Sequence, residues 1–173
     1  MAAFERALQD GADGIELDVR MTTDGELFVT HDDIIETSAG PKALGRLSAS
    51  QVDQLETISG HSIPRLREVL EFQARTGAYV NIELKGDVRA PLWVARRAAD
   101  LITAHGGSGL LISSFHVLQL REAIVRLPQV PCALLYDDST LSWAQNRTSL
   151  ASTLRSWLTR ASTPLALAVV RDA

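Results

Sequence analysis

Tyr79-Val-Asn-Ile-Glu-Leu84 alternates apolar and polar side chains with a period of two, the spacing of a β-strand whose faces meet different surroundings. What surrounds it decides the fold. An Ala-rich helical stretch from about Ala90 to His105 follows, closed by Gly106-Gly107, as helix C-termini often are. Then come a strand at Leu110-Leu-Ile112, a helix from Val117 to Leu127, and a strand at Cys132-Ala-Leu-Leu-Tyr136. A long helix from Thr140 to Ala161, striped by Trp143, Leu150, Leu154, Trp157 and Leu158, leads to a last strand, Leu165 to Val170. Upstream, Pro64 suits a first helical turn, and Leu66, Val69, Leu70 and Phe72 or Gln73 trace a helix that ends at Gly77. Strands alternating with helices predict parallel βαβ units. The pattern gives about five parallel strands and one hairpin return, against the eight strands and ~250 residues of a closed (β/α)₈ barrel. Pattern alone leaves an open doubly wound sheet, a complete barrel and a piece of a barrel as alternatives.

Working toward the N-terminus, Met1-Ala-Ala-Phe-Glu-Arg-Ala-Leu8 opens as a helix and Gly11-Ala-Asp-Gly14 punctuates. Ile15-Glu-Leu-Asp-Val-Arg-Met21 is a strand, Thr22-Thr-Asp-Gly25 a hairpin signal, and Leu27-Phe-Val-Thr-His31 the returning strand. A polar loop from Glu36 to Arg46 precedes a short helix begun at Ser48, with Gln51 as its capping-box partner.

Bulk properties set limits. The chain has 173 residues, enough for one domain over residues 1–173 with its own core. Its net charge of −4 and scattered Lys and Arg exclude the basic stripe expected of a nucleic-acid binder. The single cysteine, Cys132, rules out an internal disulfide framework and sits in an apolar run, as a buried inert thiol would. No stretch reaches the ~18 apolar residues of a transmembrane helix. No leader peptide is visible, and a cytoplasmic location is expected.

Two strands carry the chemistry. Ile15, Leu17 and Val19 point one way, Glu16 and Asp18 the other; Val80, Ile82 and Leu84 point one way, Asn81, Glu83 and Lys85 the other. Carboxylates on the interior of a parallel sheet are costly unless paired or holding a cation. A two-residue Asp24-Gly25 turn would set Asp18 opposite His31 and Glu16 opposite Asp33; a bulge would move the pairing slightly. Glu16, Asp18 and Glu83 form an all-oxygen set suited to Mg²⁺ or Ca²⁺. Lys85 beside such an ion would hold a phosphate, and His31 could move a proton. The plainer alternative is a Glu83–Lys85 ion pair and a cross-strand Asp18–His31 pair.

Gly11-Ala-Asp-Gly-Ile-Glu-Leu-Asp-Val19, Thr22-Thr-Asp-Gly25 and Val29-Thr-His-Asp32 together resemble the glycerophosphodiester phosphodiesterase family. Ile63-Pro-Arg-Leu-Arg-Glu-Val-Leu70, Asn81-Ile-Glu-Leu-Lys85 and Ser113-Ser-Phe115 continue that likeness in order. The resemblance implies an incomplete TIM (β/α)₈-type barrel of the PLC-like phosphodiesterase kind. It also implies hydrolysis of small-molecule glycerophosphodiesters to glycerol 3-phosphate and an alcohol, by His acid/base catalysis with a divalent metal. Glu16, Asp18 and Glu83 take the place of the metal ligands, and His31 that of the second of two acid/base histidines. Lys85 takes that of a phosphate contact and Asp32 that of electrostatic support. The family's opening His-Arg-Gly strand and its last two strands have no counterpart, and His61, His105 and His116 are poor substitutes for the first histidine. A truncated non-catalytic metal-binding or interaction module is therefore the competing expectation, and exposed sheet edges invite self-association.

Overall fold

The computed structural model describes residues 1–86, 91–106 and 108–135, together with the backbone of 165–166. Helix α1 (Ala2–Gln9) leads into strand β1 (Gly14–Met21), which turns back antiparallel as β2 (Leu27–Val29). An excursion follows, holding β3 (Ile34–Ile35), β4 (Lys42–Ala43), a 3₁₀ turn over Leu44–Arg46 and α2 (Ala49–Asp53). The remaining elements alternate: α3 (Leu66–Thr76), β5 (Tyr79–Leu84), α4 (Pro91–His105), β6 (Leu110–Ser114), α5 (Val117–Arg126), β7 (Cys132–Leu134) and β8 (Leu165–Ala166). The expected helix at 140–161 lies outside the described residues, as does the expected last strand beyond Ala166.

The main sheet has the order β2-β1-β5-β6-β7-β8. From β1 onward every pairing is parallel, so the expected five parallel strands and one hairpin return are all present. One face is apolar and lies under the helices. Leu17, Val19, Val80, Ile82, Leu84 and Ile112 pack there against Leu66, Val69 and Leu70 of α3, Val94, Ala98 and Ile102 of α4 and Leu120 and Ala123 of α5. Each fully buried Leu or Ile contributes about 1.5–3 kcal/mol. Glu122 fastens α4 to α5, accepting from Arg96 Nε and Arg126 Nε at 2.8 Å each. Cys132 is buried in this core, where loss of solvent pushes its thiol up to about 12.

The excursion has a core of its own, formed by Phe28, Ile35, Leu44, Ala49 and Val52. Arg65 lies over the Phe28 ring at 5.2 Å and pairs with Asp53, closing the excursion against the main body. The expected polar loop at 36–46 is thus partly ordered, because Ile34 and Ile35 pair with Ala43 and Lys42. Helix α3 starts at Leu66 rather than Pro64. Pro64 is spent on the sheet side, its carbonyl accepting from the Val29 N–H at 2.8 Å, while Glu68 reaches back to the Arg65 N–H.

Candidate metal and phosphate site

The other face of the sheet carries the polar residues. In the parallel β1–β5 ladder Glu16 is beside Asn81, and Asp18 is beside Glu83; Ser113 of β6 continues the Asp18–Glu83 row. Parallel register keeps neighbouring residues on one face, so the row collects side chains from three separate strands. One ligand oxygen from each of Glu16, Asp18 and Glu83 can be chosen so that all lie within 4.8 Å of one another. The cluster sits toward the C-terminal end of β5, and Lys85 follows directly. Its Nζ lies 2.6 Å from Glu83 Oε1 and 2.9 Å from Asp18 Oδ1.

Charge shapes the group. Glu16 is exposed overall, but partial loss of solvent raises its pKa above the ordinary 4.5, reinforced by Asp18 and Glu83 and opposed by Lys85 and His31. For Lys85 burial works against the ammonium, but hydrogen bonds to Glu83 and Asp18 outweigh it and raise the pKa above 10.5. Glu83 Oε1 is buried, and the Lys85 ammonium is its one partner among the described residues. A buried carboxylate oxygen without a full set of donors, next to two more carboxylates, fits a hard divalent cation with oxygen ligands.

The hairpin register differs from the expected one. Val19 pairs with Val29 and Met21 with Leu27, which places Asp18 opposite Thr30, whose N–H donates to the Asp18 carbonyl at 3.0 Å. The turn holds three residues, Thr23-Asp24-Gly25, closed by Thr22 N–H to Glu26 C=O, with Gly25 at φ +83°. Asp24 is drawn out of a two-residue turn because Thr22 Oγ1 donates to it at 2.6 Å and the Ala49 N–H at 3.0 Å. Those bonds hold its carboxyl below the ordinary value.

Asp18 and His31 are therefore not a cross-strand pair, nor are Glu16 and Asp33. His31 stands just past the ladder with an exposed ring whose Nδ1 lies 2.9 Å from Asp32 Oδ1. It remains close enough to Glu16 to oppose the rise in that group's pKa. Asp33 lines a cleft of about 490 Å³ with Arg20, Arg46 and Lys85. His116 caps the start of α5, its ring so close to Gly86 that a Cβ there would come within 2.1 Å of Nε2.

Sequence reasoning missed one contact and left two residues without a role. The Lys85–Asp18 contact depends on strand register, which one sequence does not display. Ser113, whose hydroxyl donates to Asn81 Oδ1 at 2.9 Å, lies one residue past the expected end of its strand. Arg20 could have been found: it continues the alternation of Glu16 and Asp18.

Known proteins share this arrangement of elements. The chain aligns with 99% of its length on a phosphodiesterase from Oleispira antarctica solved with sn-glycerol-3-phosphate, at TM-score 0.75 and 19% identity, covering 77% of that structure. A glycerophosphoryl diester phosphodiesterase structure from Silicibacter pomeroyi gives TM-score 0.78 over 100% of this chain and 77% of the other, also at 19% identity. The parallel sheet is accordingly part of a TIM-type barrel, and the site lies at the barrel face where strand C-termini gather. In sequence, the chain is 33% identical to a glycerophosphodiester phosphodiesterase of Caldanaerobacter subterraneus over 145 residues, which is 79% of this chain and 60% of that protein. It is likewise 33% identical to one of Bacillus altitudinis, over 80% of this chain and 60% of the relative. The chain thus spans 60% of the length of these curated relatives. With residues 1–172 matched by the glycerophosphoryl diester phosphodiesterase family profile, the chain belongs to that family.

Proposed function

We propose that the chain supplies the metal and phosphate site of a phosphodiester hydrolase acting on glycerophosphodiesters, releasing glycerol 3-phosphate and an alcohol. The observation that carries this reading is the convergence of Glu16, Asp18 and Glu83 within 4.8 Å, with Lys85 Nζ against two of them. The three carboxylates would hold Mg²⁺ or Ca²⁺, which when bound supplies charge neutralisation for the phosphate oxygens. Lys85 would turn its ammonium to a non-bridging phosphate oxygen as a point charge. His31 would carry the proton between the ester oxygens and solvent. With Nδ1 on Asp32, Nε2 is the nitrogen left free for that transfer, and the carboxylate supports the imidazolium when it forms.

The test is titration of the purified 173-residue chain with Ca²⁺ and Mg²⁺ by calorimetry, following glycerophosphocholine hydrolysis in the same samples. Glu16→Gln, Asp18→Asn and Glu83→Gln should each weaken binding of the ion by at least ~10²-fold, more than loss of an outer-shell partner costs. His31→Ala should leave metal affinity within about twofold and lower hydrolysis by ~10²–10⁴-fold. Unchanged affinity in all three carboxylate variants would sink the metal site. Metal binding without turnover in the wild-type chain is the result expected of a non-catalytic metal-binding module.

A further inference from the structure

Beyond Asp18, the alternation that puts Glu16 and Asp18 on the site face of β1 reaches Arg20. Its guanidinium does not serve an ion pair among the described residues. Instead Arg20 Nε donates to the backbone carbonyl of His31 at 2.8 Å. The surroundings make this bond consequential. The β1–β2 ladder ends at Val29, and the last ladder-like bond is Thr30 N–H to the Asp18 carbonyl. The next tertiary backbone bond is at Asp33, whose carbonyl accepts from Leu44. Between those anchors the His31 carbonyl is held by Arg20 and by no other described residue; Thr30 Oγ1 donates to the Asp32 carbonyl at 3.2 Å, and the ring's Nδ1 lies 2.9 Å from Asp32 Oδ1. An exposed histidine on such a segment, close enough to Glu16 to act on its charge, would sample many positions unless its backbone were fixed.

We propose that Arg20 is a positioning residue for His31: by holding the His31 carbonyl it fixes the imidazole over the Glu16–Asp18–Glu83 cluster. The proposal rests on the reading of His31 as the proton-transfer group. Chemistry separates the hydrogen bond from the charge. The amide nitrogen of glutamine is as many bonds from Cα as arginine Nε, so Arg20→Gln can keep the donor while removing the charge. Arg20→Met fills similar space and removes both.

The experiment places Mn²⁺, a paramagnetic ion for oxygen sites, in the isotope-labelled 173-residue chain and measures relaxation of the His31 ring protons by NMR, alongside Mn²⁺ affinity. Arg20→Met should lower the relaxation of the His31 ring at least threefold while Mn²⁺ affinity stays within twofold, and Arg20→Gln should restore it. Turnover of glycerophosphocholine, where measurable, should fall on the order of 10²-fold in kcat with KM held for Arg20→Met, and recover in Arg20→Gln. His31 relaxation unchanged in Arg20→Met would overturn the proposal. Equal loss in both variants would overturn it too, pointing to the charge rather than the bond, as a direct phosphate contact would. If bound Mn²⁺ fails to relax His31 in the wild-type chain, the role given to His31 falls, and this proposal with it. If Mn²⁺ does not bind the wild-type chain, the metal site itself falls and leaves nothing over which His31 is held.

Discussion

Lys85 has two partners that belong to two strands, and its ammonium takes the position of a cation among carboxylates. An incoming metal must therefore displace it. Lys85→Met should tighten Ca²⁺ or Mg²⁺ binding about tenfold, a change of 1.4 kcal/mol, and weaken inorganic phosphate binding to the metal-loaded chain; calorimetry reads both. Without metal the same variant leaves the carboxylates unpaired, and denaturation should show a loss of up to about 3 kcal/mol. The pH dependence follows from the directions of shift. Lys85 is raised, so its stabilisation is full below pH 10.5 and is lost as pH climbs through the higher folded value. Glu16 is also raised, so its contribution is full below pH 4.5 and fades as pH rises through its folded pKa. Much of this site was legible from alternation, which alone put Glu16, Asp18, Glu83 and Lys85 on the polar faces of their strands. What stayed hidden was register: whether Lys85 would reach Asp18 depends on how β5 slides along β1.

At the scale of elements, the β1–β5 ladder begins where Gly14 faces Tyr79. A Cβ on Gly14 would meet the Tyr79 carbonyl oxygen at 2.5 Å, backbone against backbone in a parallel ladder. Gly86 meets an even closer neighbour, but that neighbour is the exposed ring of His116, which can swing aside. Gly14→Ala should therefore cost about 2–3 kcal/mol by urea denaturation, within the range for overpacking, and Gly86→Ala under ~1 kcal/mol. A larger loss in Gly86→Ala than in Gly14→Ala would show that the His116 ring is fixed. The hairpin shows where local reading stops. Asp24-Gly25 is a favoured turn pair, yet Asp24 is claimed by Thr22 and by the Ala49 N–H across 25 residues of sequence. The Ser48–Gln51 capping box formed as expected because both of its bonds are local.

For the whole molecule, the order of helices and strands was readable from punctuation and periodicity, and the described strands of the main sheet follow it. The choice between open sheet and barrel was not, since a βαβ unit packs its helix on the sheet alike in both; the ordered motifs and the related structures decide it. One property of this architecture is available to experiment without any catalysis. The chain's single thiol, Cys132, lies buried in β7, between Ile112 of β6 and Leu165 of β8. It is a built-in clock of opening, because a thiol reagent can reach it only when that part of the sheet comes apart. Its labelling at neutral pH should run ~10³-fold or more slower than that of an unfolded thiol, given a typical stability near 5 kcal/mol. If opening at β7 is opening of the whole sheet, Ca²⁺ at 100 times its dissociation constant should slow the clock a further ~100-fold, as a ligand bound only by the folded chain must. A clock indifferent to the ion would mean that β7 opens while β1 and β5 stay closed around their carboxylates.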